Sequence, residues 1–405
     1  MIWLAGASAA IWLYLLLFHH GFWLARERDD QNLPAAPSVW PEVVAIVPAR
    51  NEADVIARSI GSLLAQDYPG PFRVILVDDS SEDGTAQIAS ALNSVRAEPV
   101  EALPSSLAES KEVKKGLREA QAERSVGHAS FEILAAPPLP ADWTGKLWAV
   151  SQGVAAAGAP SYLWLTDADI AHAPDTLRSL VARAEAGQLH LVSLMAKLHC
   201  RTLPERALVP AFVFFFQMLY PFAQANGAKG PGAAAGGCML VRRDALEQAG
   251  GIAAIRGALI DDCTLGALIK RGGPIWLGLT KRSRSIRPYR SFGAIARMIA
   301  RSAYAQLRYS PLLLLGTLAG LALVYAVPPA LALFGHGTAQ VLGLATWAMI
   351  ALAFQPMLRF YRVSRLWGLA LPAIAAFYAA CTLLSALDHK RGRGGMWKGR
   401  AQAGR

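Results

Sequence analysis

Arg73-Val74-Ile75-Leu76-Val77-Asp78-Asp79-Ser80-Ser81-Glu82-Asp83-Gly84-Thr85 is a short apolar run that stops abruptly on carboxylates. Aliphatic, β-branched residues over 73–77 are the pattern of a strand buried on both faces, and residues 84–93 read as the helix that follows. The pattern returns downstream, where Tyr162-Leu163-Trp164-Leu165 runs into Thr166-Asp167-Ala168-Asp169 and then a helix from Pro174. It also occurs upstream. Val43-Val44-Ala45-Ile46-Val47 ends at Pro48, and Val55, Ile56, Ile60, Leu63 and Leu64 repeat at helical spacing behind Asn51, which is placed to be the N-cap. Strands alternating with helices from about residue 40 to 290 predict an α/β domain with a Rossmann-like, mostly parallel sheet.

In open α/β sheets ligands bind beyond the carboxyl ends of the strands. Asp78-Asp79 and Asp167-Ala168-Asp169 are therefore expected on one edge, where their repulsion calls for a cation or a hydrogen-bonding ligand. A D-x-D pair suits Mg²⁺ or Mn²⁺, leaving coordination positions for a diphosphate. Lys146, in Trp143-Thr144-Gly145-Lys146, stands at a helix start from which it can reach a phosphate. Gly236-Gly237-Cys238-Met239-Leu240 reads as a small apolar turn, followed by Asp261-Asp262 at the head of a helical segment, where one acid can serve as a general base. Arg297 and Arg301 lie four apart on one helix face, a spacing that can clamp a diphosphate or an anionic headgroup.

The chain has 405 residues, 54% hydrophobic and only 17% charged, with a net charge of +11 and a mean hydropathy of +0.30. This excludes a disordered chain, a collagen-like fibre and a disulfide scaffold. Cys200, Cys238, Cys263 and Cys381 are far apart without a CxxC and read as reduced thiols. The basic residues of 281–308 adjoin an apolar run and lack aromatic interleaving, so nucleic acid is not the expected partner; a membrane and phosphate groups are.

Residues 2–24 form an apolar run about one bilayer crossing long, followed by Arg26 and Arg28, and are expected to be an N-terminal anchor over 1–25. Three more uncharged runs, 311–334, 338–358 and 366–387, make a C-terminal membrane region over 311–387 with a basic tail at 388–405. Residues 335–337 lack Lys and Arg, whereas Arg359, Arg362 and Arg365 fill the next link, so the first two runs read as a hairpin returning to the cytoplasm. Three full crossings conflict with a basic tail held inside; either the last run, carrying Pro372, is re-entrant or the tail is exceptional. The run 207–223, with Phe212, Phe214, Phe215 and Phe216 between Pro210 and Pro221, is short for a crossing and reads as an interfacial helix or a buried core helix.

Together, these motifs resemble family 2 glycosyltransferases of the GT-A fold across residues 43–308. Residues 47–52 are similar to the family's opening strand and turn. Asp78 to Thr85 resembles its D-D-x-S-x-D-G-T run, Asp167-Ala168-Asp169 its metal-binding D-x-D, and Asp261-Asp262 its E-D. The whole arrangement is most similar to the hopene-associated (hopanoid-biosynthesis) group and to ceramide glucosyltransferase-like enzymes. The family's (Q/R)xxRW signature is incomplete: Arg297 and Arg301 resemble its basic pair, with three residues between them in place of two, and Ser302 replaces the Trp. That departure argues for single-sugar transfer over long-polymer synthesis.

The resemblance implies a cytoplasmic GT-A domain over 40–308 in a multi-pass protein of a bacterial inner membrane. It implies inverting transfer from a nucleotide sugar, UDP-linked, to a lipid acceptor. Pro48, Asn51, Glu52, Asp78, Asp79, Lys146, Asp167, Arg297 and Arg301 would contact the donor. Asp167 and Asp169 would hold Mg²⁺ or Mn²⁺, and Asp262 would be the base with Asp261 as the fallback. The rivals are a polyprenyl-phosphate sugar transferase, a polysaccharide synthase, and a nucleotide-sugar-binding module without turnover.

Overall fold

The computed structural model describes residues 1–95, 129–392, 396–397 and 400–401. The charged stretch 98–124, whose sequence reads as a helical or mobile surface insertion, and half of the basic tail lie outside the described residues. Among the described residues the core is an eight-stranded mixed sheet ordered β3-β2-β1-β4-β7-β6-β8-β5. The strands are β1 Val43–Ala49, β2 Phe72–Asp78, β3 Ser130–Ala135, β4 Tyr162–Thr166, β5 Ile170–His172, β6 Leu191–Lys197, β7 Cys238–Arg242 and β8 Ile275–Ser285. The half β3-β2-β1-β4 is wholly parallel, as the alternation predicts. Beyond it, β7 runs antiparallel to both β4 and β6, β8 is parallel to β6, and β5 antiparallel to β8.

Helices α1 Ile2–Leu17, α2 Ile56–Leu64, α3 Thr85–Val95, α4 Gly145–Ala156 and α5 Thr176–Gly187 precede α6 Leu203–Leu219, α7 Asp261–Lys270 and α8 Phe292–Ala300. One face of the sheet is covered around Ile56, Ile60, Ala89, Leu177 and Leu180, the other around Leu147, Val150, Leu265 and Ile269. All seven residues of β1 are buried, which explains its unbroken apolar sequence.

Among the described residues three helices are long and apolar enough to cross a membrane: α9 Pro311–Phe334, α10 Gly337–Tyr361 and α11 Trp367–Lys390. Pro372 does not interrupt α11, which is continuous over 24 residues, so the re-entrant alternative finds no break in the helix. The N-terminal run behaves differently. α1 stops at Leu17, giving 16 residues, or about 24 Å at 1.5 Å per residue, less than the roughly 30 Å of a hydrocarbon core. A turn and a short 3₁₀ segment, Phe22–Leu24, complete the run. The following residues dock on the sheet, with the Asp29 N–H donating to Leu279 O at 3.0 Å and the Leu279 N–H to Glu27 O at 2.8 Å.

Much of the run 207–223 is buried, against the apolar helices rather than within the sheet domain alone. Residues of α6 including Leu208, Val209, Ala211, Val213 and Phe214 are buried in a core shared with Trp12, Phe354 and Leu371. A capping box starts this helix: Thr202 Oγ1 accepts from the Glu205 N–H, and Glu205 Oε2 from the Thr202 N–H at 2.9 Å.

Trp12 links α1 to α9. A π segment, Ala322–Ala326, interrupts α9 just before Pro328. Proline has no N–H to give the carbonyl four residues back, so Val324 O is left open, and Trp12 Nε1 donates to it at 2.9 Å. Trp12→Phe should orphan that carbonyl and cost about 1–3 kcal/mol. Thermal unfolding of the detergent-solubilised protein should show a lowered midpoint, while Tyr14→Phe, at a 55% exposed position, should leave it unchanged.

Candidate functional site

The register sets the site. Ala49 of β1 pairs with Asp78 of β2, and Ile46 with Leu165 of β4, so the two acidic turns leave the sheet on the same edge, flanking β1. The loops after β1 and β2 are clasped together by side chains. The Glu52 N–H donates to Thr85 Oγ1 at 2.8 Å, the Ala53 N–H to Asp83 Oδ2 at 3.0 Å, and Thr85 Oγ1 to Asp83 Oδ1 at 2.5 Å. Gly84 between them has φ +88°, a left-handed conformation that suits glycine. Asp83, Gly84 and Thr85 thus build the loop.

Asn51 is not the expected N-cap, which is Val55. It takes a left-handed φ of 52°; its N–H donates to Ser81 Oγ at 2.9 Å and its Oδ1 accepts from the Glu82 N–H at 2.9 Å. Asp79 is buried against Arg50, with a nitrogen to oxygen distance of 3.8 Å. Asp78 Oδ2 accepts from the Ser81 N–H at 3.2 Å, while its buried Oδ1 has no hydrogen-bond partner among the described residues. That oxygen is an open acceptor at the strand end.

Lys146 joins the acidic elements. Thr144 caps α4, and Lys146 in its first turn reaches Asp167 Oδ1 at 2.8 Å and Asp261 Oδ2 at 2.9 Å. Burial works against its charge, but Asp167 and Asp261 outweigh it and hold the ammonium above the usual lysine range. Lys146 is therefore ion-paired between two carboxylates, a placement its position at a helix start did not reveal. Asp262, beside Asp261, accepts from the Gly236 N–H at 2.8 Å and from the Cys263 N–H at 2.7 Å. Burial, then the Asp261 charge, push its carboxyl up to about 6, against the pull of Lys146. A Cβ on Gly236 would stand 3.3 Å from Asp262 Oδ2 and 3.5 Å from Lys146 Nζ, so a side chain there would crowd both groups.

Asp169 follows Asp167 across the turn into β5. Ser285 Oγ donates to its Oδ2 at 3.4 Å, and Arg287 Nε lies 3.6 Å away. Burial and then Asp167 raise its carboxyl to about 6. Arg287 also pairs with Glu52 and, at 3.5 Å, with Asp54. The sequence marks it only as one cation in a basic stretch; the structure makes it the counter-ion of three acids from two loops. Behind the turn, His172 is held between Thr166 Oγ1 and Ser283 Oγ, each at 2.9 Å. Burial lowers its pKa to about 3, so it is a neutral structural ring.

A cavity of about 660 Å³ opens on these groups. Pro48, Glu52, Lys146, Asp167, Asp169, Asp261, Asp262, Arg287 and Arg301 lie on its polar side. Asn51, Asp78 and Asp79 are outside its lining. Arg297 is outside it too; Arg301, one helical turn on with its N–H donating to Arg297 O at 3.1 Å, is the member of the expected pair that lines the cavity. The cavity continues between Phe215 and Phe216 of α6 to Thr317 and Leu321 of α9 and Tyr378 and Thr382 of α11. Acids and membrane-length helices thus share one space. Among the described residues no cluster of three or more His, Cys, Asp or Glu is placed to hold a metal.

The family profile "Glycosyltransferase like family 2" matches residues 41–305. No curated protein matches the chain. Among solved structures, the chain is similar to "Mannosyltransferase PcManGT from Pyrobaculum calidifontis in complex with GDP-Man and Mn2+", at 20% identity and a TM-score of 0.54, covering 96% of this chain and 99% of that one. A glucosyl-3-phosphoglycerate synthase from Mycobacterium tuberculosis matches at 18% identity and a TM-score of 0.37, covering 66% of this chain and 79% of that one. S. aureus TarS 1-349 matches at 13% identity and a TM-score of 0.35, covering 87% and 92%. The chain belongs to glycosyltransferase family 2 and has the GT-A fold.

A base acts in its ionised form, so turnover that uses Asp262 should fall as the pH drops through about 6. A plot of log kcat/KM against pH should show a single-proton limb there; a profile flat down to pH 4.5 would contradict the assignment.

Proposed function

We propose that this family 2 glycosyltransferase is an inverting enzyme that moves one sugar from a nucleotide sugar, UDP-linked, to a lipid acceptor. The observation that carries the reading is the single cavity running from Asp262 and Asp169 to Thr317 and Tyr378 on helices long and apolar enough to cross a membrane. A soluble acceptor has no need of that apolar arm. The acceptor class named by the sequence resemblance, a hopanoid or related glycolipid precursor, suits such a space. A bacterial inner membrane with the sheet domain on the cytoplasmic side agrees with the arginines at 26 and 28 and at 359, 362 and 365.

Asp167 and Asp169 fit Mg²⁺ or Mn²⁺. Two carboxylates and the Ser285 hydroxyl are a hard oxygen set, short of a full shell and open to diphosphate oxygens and water. The Mn²⁺ and GDP-mannose bound to the Pyrobaculum enzyme of the same fold support that use. A divalent cation held there would neutralise charge developing on the diphosphate leaving group. Arg301 lines the same space and supplies fixed positive charge to the diphosphate, while Arg287 is held by Glu52, Asp54 and Asp169. Asp78, whose Oδ1 has no hydrogen-bond partner among the described residues, is the acceptor we assign to an N–H of the nucleobase. Asp262, with both oxygens held by backbone N–H groups, is oriented to take the acceptor's proton while the hydroxyl attacks the anomeric carbon. Asp261 is committed to Lys146, which favours Asp262 as the base. One base and a single displacement give inversion. Ser302 in place of the signature Trp supports transfer of a single sugar.

Purified protein given a panel of nucleotide sugars, Mg²⁺ or Mn²⁺ and a hopanoid-containing lipid extract should release UDP and form a glycolipid only with metal and lipid both present. Asp262→Asn should lower turnover by about 10²–10⁴-fold without weakening UDP binding. Nucleotide binding with no release from any donor would contradict the enzyme reading.

A further inference from the structure

Resting on the lipid-acceptor reading, we propose that the acceptor subsite is built for an uncharged lipid alcohol, bound beside Asp262 by Tyr220 and Gln306, and that it rejects a lipid phosphate. Three observations carry this. The first is charge. The cavity lining holds five carboxylates and three cations, so it is negative before any ligand enters. A nucleoside diphosphate and its divalent cation roughly cancel each other and leave that excess in place. Lys146 is taken by Asp167 and Asp261, and Arg287 by Glu52, Asp54 and Asp169. Arg301 is the only lining cation without a carboxylate within 4 Å among the described residues, and the donor diphosphate has first claim on it. A second phosphate would enter an anionic pocket with no cation left to receive it.

The second observation is what stands next to Asp262 on the membrane side. Tyr220, just past α6, faces Cys263 and Asp262; burial and then those neighbours push its hydroxyl up to about 12. Its oxygen accepts from Gln306 Nε2 at 2.6 Å. The pair is neutral, and the Tyr220 proton, beside the weakly accepting Cys263 thiol, can be offered instead to an acceptor oxygen. Further along the cavity the polar groups are hydroxyls, Ser302, Thr317 and Thr382, between apolar walls. This lining matches an alcohol head on an apolar body.

The third is the chemistry of the base. A phosphate oxygen is already an anionic nucleophile and needs no proton removed; an alcohol does. In the proposed step the alcohol oxygen forms a bond to the anomeric carbon as the bond from that carbon to the diphosphate oxygen breaks. The alcohol proton passes to Asp262, and the bonding pair leaves with the nucleoside diphosphate. Atoms and charge balance without any further reactant.

The test uses the full-length protein in lipid nanodiscs with the donor that it turns over. Three acceptors are compared at equal concentration: a polycyclic or long-chain lipid alcohol, the phosphate monoester of the same lipid, and glycerol. The alcohol should be glycosylated at least tenfold faster than its phosphate. Tyr220→Phe and Gln306→Leu should each raise the KM for the alcohol several-fold while leaving UDP affinity unchanged, which also reports that the variants fold. Equal or faster use of the phosphate would overturn the proposal with the lipid reading intact. Transfer to glycerol with neither lipid used would overturn the lipid reading itself, and the proposal with it.

Discussion

The Lys146 ammonium, held between Asp167 and Asp261, is the contact on which the rest of the site depends. It ties the turn after β4, where the acids proposed to hold a metal stand, to the first turn of α7, where the proposed base stands. Two carboxylates about 5 Å apart repel by about 3 kcal/mol at an effective dielectric of about 20. The bridging cation replaces that repulsion with two charge-assisted hydrogen bonds. Asp262 is then free of the ion pair and is fixed by the N–H groups of Gly236 and Cys263. Donor side and acceptor side are thereby set in one geometry before any ligand arrives, which is the preorganisation that transfer chemistry draws on.

The second constraint is the joint between this site and the apolar helices. α6 lies between them and shares its core with α1, α10 and α11. Tyr378 of α11 donates to Leu208 O at 2.9 Å, and Lys197 at the end of β6 donates to Phe360 O of α10 at 3.1 Å. Glu205, fully buried, accepts from the Arg201, Thr202 and Tyr289 N–H groups. It thus pins the loop before α6 to the loop after β8, which also carries Arg287. Burial alone would raise its carboxyl, but these bonds and His199 hold it down at about 2. The apolar arm of the cavity is therefore bounded by side chains fixed to the sheet domain and the long helices alike.

The strand ends were legible in the sequence because an apolar run that stops on acids has few other meanings in an α/β chain. Asp78-Asp79 and Asp167-Ala168-Asp169 follow such runs, and Asp261-Asp262 opens a helix. Arg287 was not legible. Its partner Glu52 is 235 residues away, and nothing local marks it among neighbouring arginines. Asn51 looked like a cap because it precedes a helix, but its left-handed backbone and ties to Ser81 and Glu82 give it to the loop clasp. Arg297 and Arg301 do stand one helical turn apart, the Arg301 N–H donating to Arg297 O at 3.1 Å, but their spacing could not tell that only Arg301 lines the cavity. Periodicity also could not tell that 207–223 is covered on several sides, since a buried helix and an interfacial one are both apolar.

The most direct measurement of whether donor acids and membrane helices form one working site is photolabelling with a diazirine-bearing lipid alcohol, irradiated with donor and metal present and mapped by peptide mass spectrometry. Labels on Phe215, Thr317 or Tyr378, lost on competition with unlabelled lipid, are the predicted result. Labels confined to outward-facing positions such as Leu312, Leu344 and Leu352, all more than half exposed, would contradict the account.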